Sequence, residues 1–187
     1  MRTTTPILVA LALLGGCATT PQLRSDVSTF SEWAAARSPA TYAFERLPSQ
    51  QRWSERQQRL EDAARGALEA AGFTQAADGN GADVIVQVGA RARTERTLQS
   101  SAATRHKPRM PAHDFSSDPA YVTIDRREVA LLIRDRETGH PLYGASASNR
   151  GRSISDPAIL TAMFVAAMKD FPNASANPRQ TTVELGR

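Results

Sequence analysis

The sequence predicts an α+β domain: a mainly antiparallel sheet of about four strands with two helices packed on one face, in the order strand-helix-strand-strand-strand-helix. Three observations carry that expectation. Apolar residues alternate with period two in residues 82–90 and again in 122–136. They recur at helical spacing in 49–71 and in 156–170. A turn around Thr138-Gly139 separates the second alternating stretch from a third one.

The first strand is expected over 41–46, where Tyr42 and Phe44 alternate with smaller residues. Leu47-Pro48-Ser49 turns the chain, and Ser49 is suited to cap a helix running to about Ala71. Trp53, Leu60, Ala64, Ala67, Leu68 and Ala71 share one face of that helix, so Trp53 is expected in the core. Gly72 stands where a left-handed residue ends a helix, and Phe73 follows as its hydrophobic contact. In the next strand Val84, Val86 and Val88 share a face. This strand-helix-strand unit admits a parallel pair through a right-handed crossover, which would make the sheet mixed.

Val129, Leu131 and Ile133 form one face of the following strand, and Ala130 and Leu132 form the other, as in a central strand. Gly139 is available for positive φ in the turn that leads to a return strand over 141–148. Ser155-Asp156-Pro157 starts the second helix, whose broad apolar face includes Ile159, Leu160, Met163, Phe164, Ala167 and Met168. Phe171-Pro172 stops it. Trp33 and Phe30 are expected to dock on the domain, the alternative being a place at a lipid surface.

The N-terminus carries the location signal. Arg2 is followed by an apolar run over 7–14 that is too short to span a bilayer. It ends in Leu14-Gly15-Gly16-Cys17, and Cys17 is the one cysteine of the chain. This run resembles the lipobox of bacterial lipoproteins, which implies cleavage before Cys17 and acylation of its thiol and new amino group. The alternative is an ordinary secretory signal. Acylation at Cys17 leaves no thiol for a disulfide, a nucleophile or a metal. By the sorting rule of Gram-negative lipoproteins, Ala18 in place of an aspartate implies, for a Gram-negative source, the inner leaflet of the outer membrane, facing the periplasm.

The chain then divides into a signal over 1–16, the lipidated cysteine and a tether over 17–39, a single domain over 40–172 and a polar tail over 173–187. The domain contains a basic loop at 91–119. Removing the signal leaves roughly 170 residues, enough for one core. A formal charge of +4 is too small an excess to point to nucleic acid.

Further pieces fix a resemblance: Thr41-Tyr42-Ala43-Phe44 with Leu47-Pro48, the helix end Ala71-Gly72-Phe73, and Ala82-Asp83-Val84-Ile85-Val86. So do Leu131-Leu132-Ile133-Arg134-Asp135 with Thr138-Gly139, and Phe171-Pro172. With the Cys17 motif, they resemble the bacterial lipoproteins of the family catalogued as domain of unknown function 4136. Tyr143, where that family often has tryptophan, and the basic insert after Arg91 depart from it. The resemblance implies an α/β envelope domain with no assigned activity or catalytic residues.

Arg91, Arg93, Arg96, Arg105, Lys107 and Arg109 stand against Glu95 alone and form the candidate binding set, for an anionic envelope polymer or glycolipid. The competing reading is a solvated loop. His106, His113 and Asp114 fit no zinc spacing, and His140 lies in another turn. Asp78, Asp83 and Asp156 have turn, strand-edge and capping explanations. No catalytic residue, metal or cofactor is expected, because no nucleophile elbow, phosphate-binding glycine loop or glycosidase acid pair is present. The expected function is a membrane-anchored, non-enzymatic interaction or structural module of the cell envelope, with an envelope protein or an anionic glycolipid as partner. A polyanion binder is the alternative, and a hydrolase with a nonstandard site is held in reserve.

Overall fold

A computed structural model of the chain describes residues 21–77, 81–98, 121–151, 157–174 and 178–185. In chain order the elements are β1 (Gln22–Ser31), β2 (Thr41–Phe44), α1 (Pro48–Gln51), α2 (Ser54–Ala70), β3 (Thr74–Gln75), β4 (Val84–Leu98), β5 (Tyr121–Asp135), β6 (Pro141–Gly151), α3 (Pro157–Met168) and β7 (Arg179–Glu184). The strands form one sheet in the order β3-β2-β4-β5-β6-β1-β7.

The sheet corrects the expected architecture. It has seven strands where about four were expected, and the described residues hold three helices rather than two. Two of the added strands come from segments read as polar tether and tail. In β1 only Leu23, Val27 and Phe30 supply large apolar side chains, and Phe30 falls out of phase with the other two, so the strand signal is weak in sequence. It forms because antiparallel pairing on both sides, with β6 and β7, satisfies its backbone and places Leu23, Ser25 and Val27 in the core. The third addition, β3, is two residues long and pairs in parallel with β2. The stretch read as a basic loop begins as strand, because β4 continues through Leu98 in register with β5.

The expected N-cap at Ser49 lies inside α1, whose N-cap is Leu47, while the pairing of the expected strands agrees with the structure. β2 and β4 are parallel, joined by the α1–α2 crossover, and β4, β5 and β6 are antiparallel neighbours. Gly72 (φ 93°) and Gly139 (φ 71°) occupy the left-handed region where a side chain would be strained. Phe73 is buried behind the first of them.

One face of the sheet holds the core. Val84, Val86, Val88, Val129, Leu131, Ile133, Tyr143, Ala145 and Ala147 point toward Leu60, Ala64, Leu68, Met163, Phe164 and Ala167 of α2 and α3. Fully burying such a side chain contributes about 1.5–3 kcal/mol. The Tyr143 hydroxyl donates to the Ala167 carbonyl at 3.2 Å, and burial pushes its pKa up to about 12. Trp33 docks against Phe73 and Phe171 at centroid distances of 5.5 and 4.9 Å, and its indole donates to the Arg37 carbonyl. Phe30 points the other way and is exposed.

Trp53 is also a correction. The expected single helix over 49–71 breaks at Trp53 (φ −120°, ψ 48°) into α1 and α2. The break turns the indole out of the core, leaving it 69% exposed. Phe164, expected in the core, is fully buried there.

Candidate functional site

Strand alternation sorts the candidate arginines. Val84, Val86 and Val88 face the helices, so Arg91 and Arg93 lie on the opposite, open face of β4. In β5, Arg127, Val129, Leu131 and Ile133 face inward, which puts Arg126 and Glu128 on the open face. Tyr143, Ala145 and Ala147 face inward in β6, so Ser148 and Arg150 are open.

Register then joins these residues into rows. Arg91 lies opposite Glu128, and Glu128 opposite Ser148, which is opposite Asp26 of β1. The next row is Arg93 opposite Arg126, and Arg126 opposite Arg150. Arg24 of β1 is two residues beyond Asp26 and reaches the same end of the same face.

The two rows are chemically unlike. Arg91 makes a forked contact with Glu128, from Nη2 to Oε1 at 2.9 Å and from Nε to Oε2 at 3.1 Å. Arg93, Arg126 and Arg150 make no ion pair with any described residue. Like charges directly opposite each other in a sheet are destabilising. Between the rows Arg91, Arg93, Arg126 and Glu128 line a small cavity of about 160 Å³.

Of the six cations predicted as a binding set, the structure therefore brings together Arg91 and Arg93. Arg96 belongs to β4, and its side chain lies outside the described residues. Arg105, Lys107 and Arg109, with Cys17, His106, His113 and Asp114, also lie outside them. Arg126 and Arg150 were not predicted. Alternation in 122–136 and the hairpin at Gly139 bear on the Arg126–Arg150 pair, but what faces Arg93 is set by the β4–β5 register, which no single segment carries.

A larger cavity of about 690 Å³ lies on the helical side, between the starts of α2 and α3. Leu60, Ala63, Val129 and Leu160 give it apolar walls, and Arg56 and Arg127 give it charge.

The far end of the sheet is built differently. Asp135 accepts from the Thr138 amide and hydroxyl, both at 3.0 Å, and from Arg37 Nη1 at 3.0 Å. The Thr138 amide, with Arg37 and the Thr138 hydroxyl, holds its pKa at about 2. Asp83 accepts from the Thr41 hydroxyl at 2.5 Å and the Thr41 amide at 3.0 Å, and the hydroxyl contact above all lowers its pKa. His140 Nε2 lies 2.5 Å from Glu32 Oε2. No group of three or more His, Cys, Asp or Glu side chains converges as a metal site among the described residues.

Comparison with known proteins places the chain by family and fold. No curated protein matches it. A PDZ domain protein from Parabacteroides distasonis ATCC 8503 aligns with a TM-score of 0.53 at 12% identity, over 88% of this chain and 40% of that one. The likeness is one of fold, and this chain spans well under half of that protein's length. A PelC dodecamer structure from Paraburkholderia phytofirmans aligns with a TM-score of 0.42 at 13% identity, covering 77% of this chain and 95% of that one. Residues 26–173 match the model of the family described as Domain of unknown function (DUF4136). That match runs from within β1 through α3, and the chain belongs to this family.

Proposed function

We propose that the protein is a lipid-anchored module of the bacterial cell envelope, acting through binding rather than chemistry. The lipid sits on Cys17, and Ala18 after it favours the inner leaflet of the outer membrane, facing the periplasm. One observation carries the reading. Pro21, the first described residue, pairs with Leu185 at the end of the sheet where Arg24, Arg93, Arg126 and Arg150 gather. A tether of only a few residues after Cys17 sets that basic end against a lipid surface.

Exposed Trp53 supports the same orientation. Gln50 and Gln57 donate to the Val88 carbonyl and Arg56 to that of Ala90, which places Trp53 on the arginine-bearing half of the molecule. Arg52 and Arg56 flank it, both exposed. An indole beside guanidinium groups suits the headgroup region of a membrane. Binding rather than catalysis is favoured because the polar side chains that converge at the far end are taken up in structural hydrogen bonds, Asp83 with Thr41 between two segments and Asp135 with Thr138 within a turn.

The test is membrane fractionation with metabolic palmitate labelling. The natural chain is expected in the membrane fraction with label, and Cys17→Ser in the soluble periplasmic fraction without it. A Cys17→Ser protein that stays membrane-bound overturns the reading.

A further inference from the structure

We propose that Arg93, Arg126 and Arg150 form a binding site for a phosphomonoester group on the open face of the sheet. The proposal goes beyond the lipid anchor, since the site belongs to the folded domain and would persist in a protein released from the membrane.

Register carries the argument. Arg126 is central, with Arg93 directly opposite on one neighbouring strand and Arg150 directly opposite on the other. Adjacent strands are about 4.8 Å apart, so the three side chains leave the sheet in one short line. Such a line of like charge opposes folding unless an opposite charge neutralises it. The nearest described carboxylate is already engaged, since Glu128 holds Arg91 by two parallel contacts. Asp26, opposite Ser148, is the diagonal neighbour of Arg150 on the adjoining strand. Neither carboxylate forms an ion pair with Arg93, Arg126 or Arg150.

The ligand class follows from guanidinium chemistry. Each guanidinium offers a planar fork that matches two oxygens at once. A carboxylate has two oxygens and fills one fork. A terminal phosphate has three non-ester oxygens and about −1.5 to −2 charges, so it can accept from two or three forks together. The cavity beside Arg93 and Arg126, of about 160 Å³, exceeds the roughly 30 Å³ that one water takes in the liquid. Its wall includes Arg91, which Glu128 keeps in place.

Phosphate of this kind comes either on a lipid headgroup or on a soluble molecule. The test uses the full chain in phosphatidylcholine nanodiscs, titrated with inorganic phosphate by calorimetry, and then with vesicles of phosphatidylcholine containing phosphatidic acid. Binding of inorganic phosphate supports a soluble source, and binding of the phosphatidic acid vesicles alone supports a headgroup source. In either case Arg126→Ala and Arg150→Ala are each expected to weaken binding about tenfold, and Arg126→Lys less, because lysine keeps the charge without the fork. Arg136→Ala, the same loss of charge at the far end, is expected to leave binding unchanged. If neither probe binds, or if Arg136→Ala weakens binding as much as Arg126→Ala, the site does not exist. Should Arg126→Ala fold poorly, Arg126→Lys and Arg150→Ala decide the matter. The same titrations on Cys17→Ser separate this proposal from the lipid anchor, since loss of one leaves the other standing.

Discussion

Arg46 and Arg126 are both arginines at the sheet, and the fold treats them oppositely. Arg46 closes on Glu61 of α2 with Nε to Oε1 at 2.6 Å and Nη2 to Oε2 at 2.7 Å, and adds Gln58 at 2.7 Å. Arg126 is held between two other arginines. The contrast extends to whole regions. Around Arg46 and the far turns, charged groups are consumed in holding elements together. At the end where Pro21 enters, Arg93, Arg126 and Arg150 have no ion-pair partner among the described residues. A sequence under selection for stability alone would have placed a threonine or glutamate at one of those positions, so the excess reads as something kept for a partner outside the chain.

The largest test of the contrast is Arg46→Ala. It strands the Glu61 carboxylate, which is 4% exposed, without its counter-ion. Breaking such a pair costs about 3 kcal/mol. Urea unfolding followed by circular dichroism is expected to show that loss. A loss below about 1 kcal/mol, the range of surface pairs, would remove the claim that this region's charges are structural.

Asp135→Asn comes next. Its carboxylate organises the turn after β5 and ties Arg37 to it. The thermal midpoint is expected to fall by several degrees at neutral pH. The pH dependence has a definite sign. The folded-state pKa of about 2 lies below the unfolded value, so the stabilisation is present above about pH 4 and is lost as pH falls toward 2. The variant and the natural chain are therefore expected to converge in acid. An undiminished gap at pH 2 would assign the effect to something other than the ionised carboxylate.

How far the sequence discloses these regions depends on how local their signals are. β4 as far as Ala90, β5, β6, α3, Gly72 and Gly139 were legible because period and turn residues agreed within each segment. β1 and β7 were not, because their few apolar residues become a strand face only when paired with each other and with β6. Trp53 misled for a related reason. It fits the helical stripe, and only the break at its own backbone turns it outward. For the site, Arg91 and Arg93 were found from charge density along the chain. Arg126 and Arg150 needed register, a property of strand pairs rather than of any one segment.

The arginine end holds a second unsettled feature. Ser25 and Thr181 lie opposite each other in β1 and β7, both buried, and neither hydroxyl has a partner among the described residues. An unpaired buried hydroxyl costs about 1–3 kcal/mol. Thr181→Val keeps the shape and removes the polar atom, so it is expected to stabilise the fold by about 1 kcal/mol in urea unfolding. A destabilised variant would mean that the hydroxyl is satisfied, and this part of the contrast would vanish.

The smallest effect discriminates best. Replacing Arg126 by threonine removes two like-charge contacts at once and keeps a β-branched residue in the strand. Relief of such contacts is worth about 0.2–1 kcal/mol, so Arg126→Thr is expected to raise stability slightly in low salt. The gain should shrink as salt screens the natural chain. Phosphate acts in the opposite direction. A ligand that binds only the folded protein raises its stability with concentration, and the natural chain alone retains the site. Adding phosphate at constant ionic strength is therefore expected to reverse the order of the two proteins. A structural role for Arg126 predicts a less stable variant in every buffer, and a solvated surface role predicts no dependence on phosphate. Only an arginine left unpaired by the fold and paired by a ligand gives both the initial gain and its reversal.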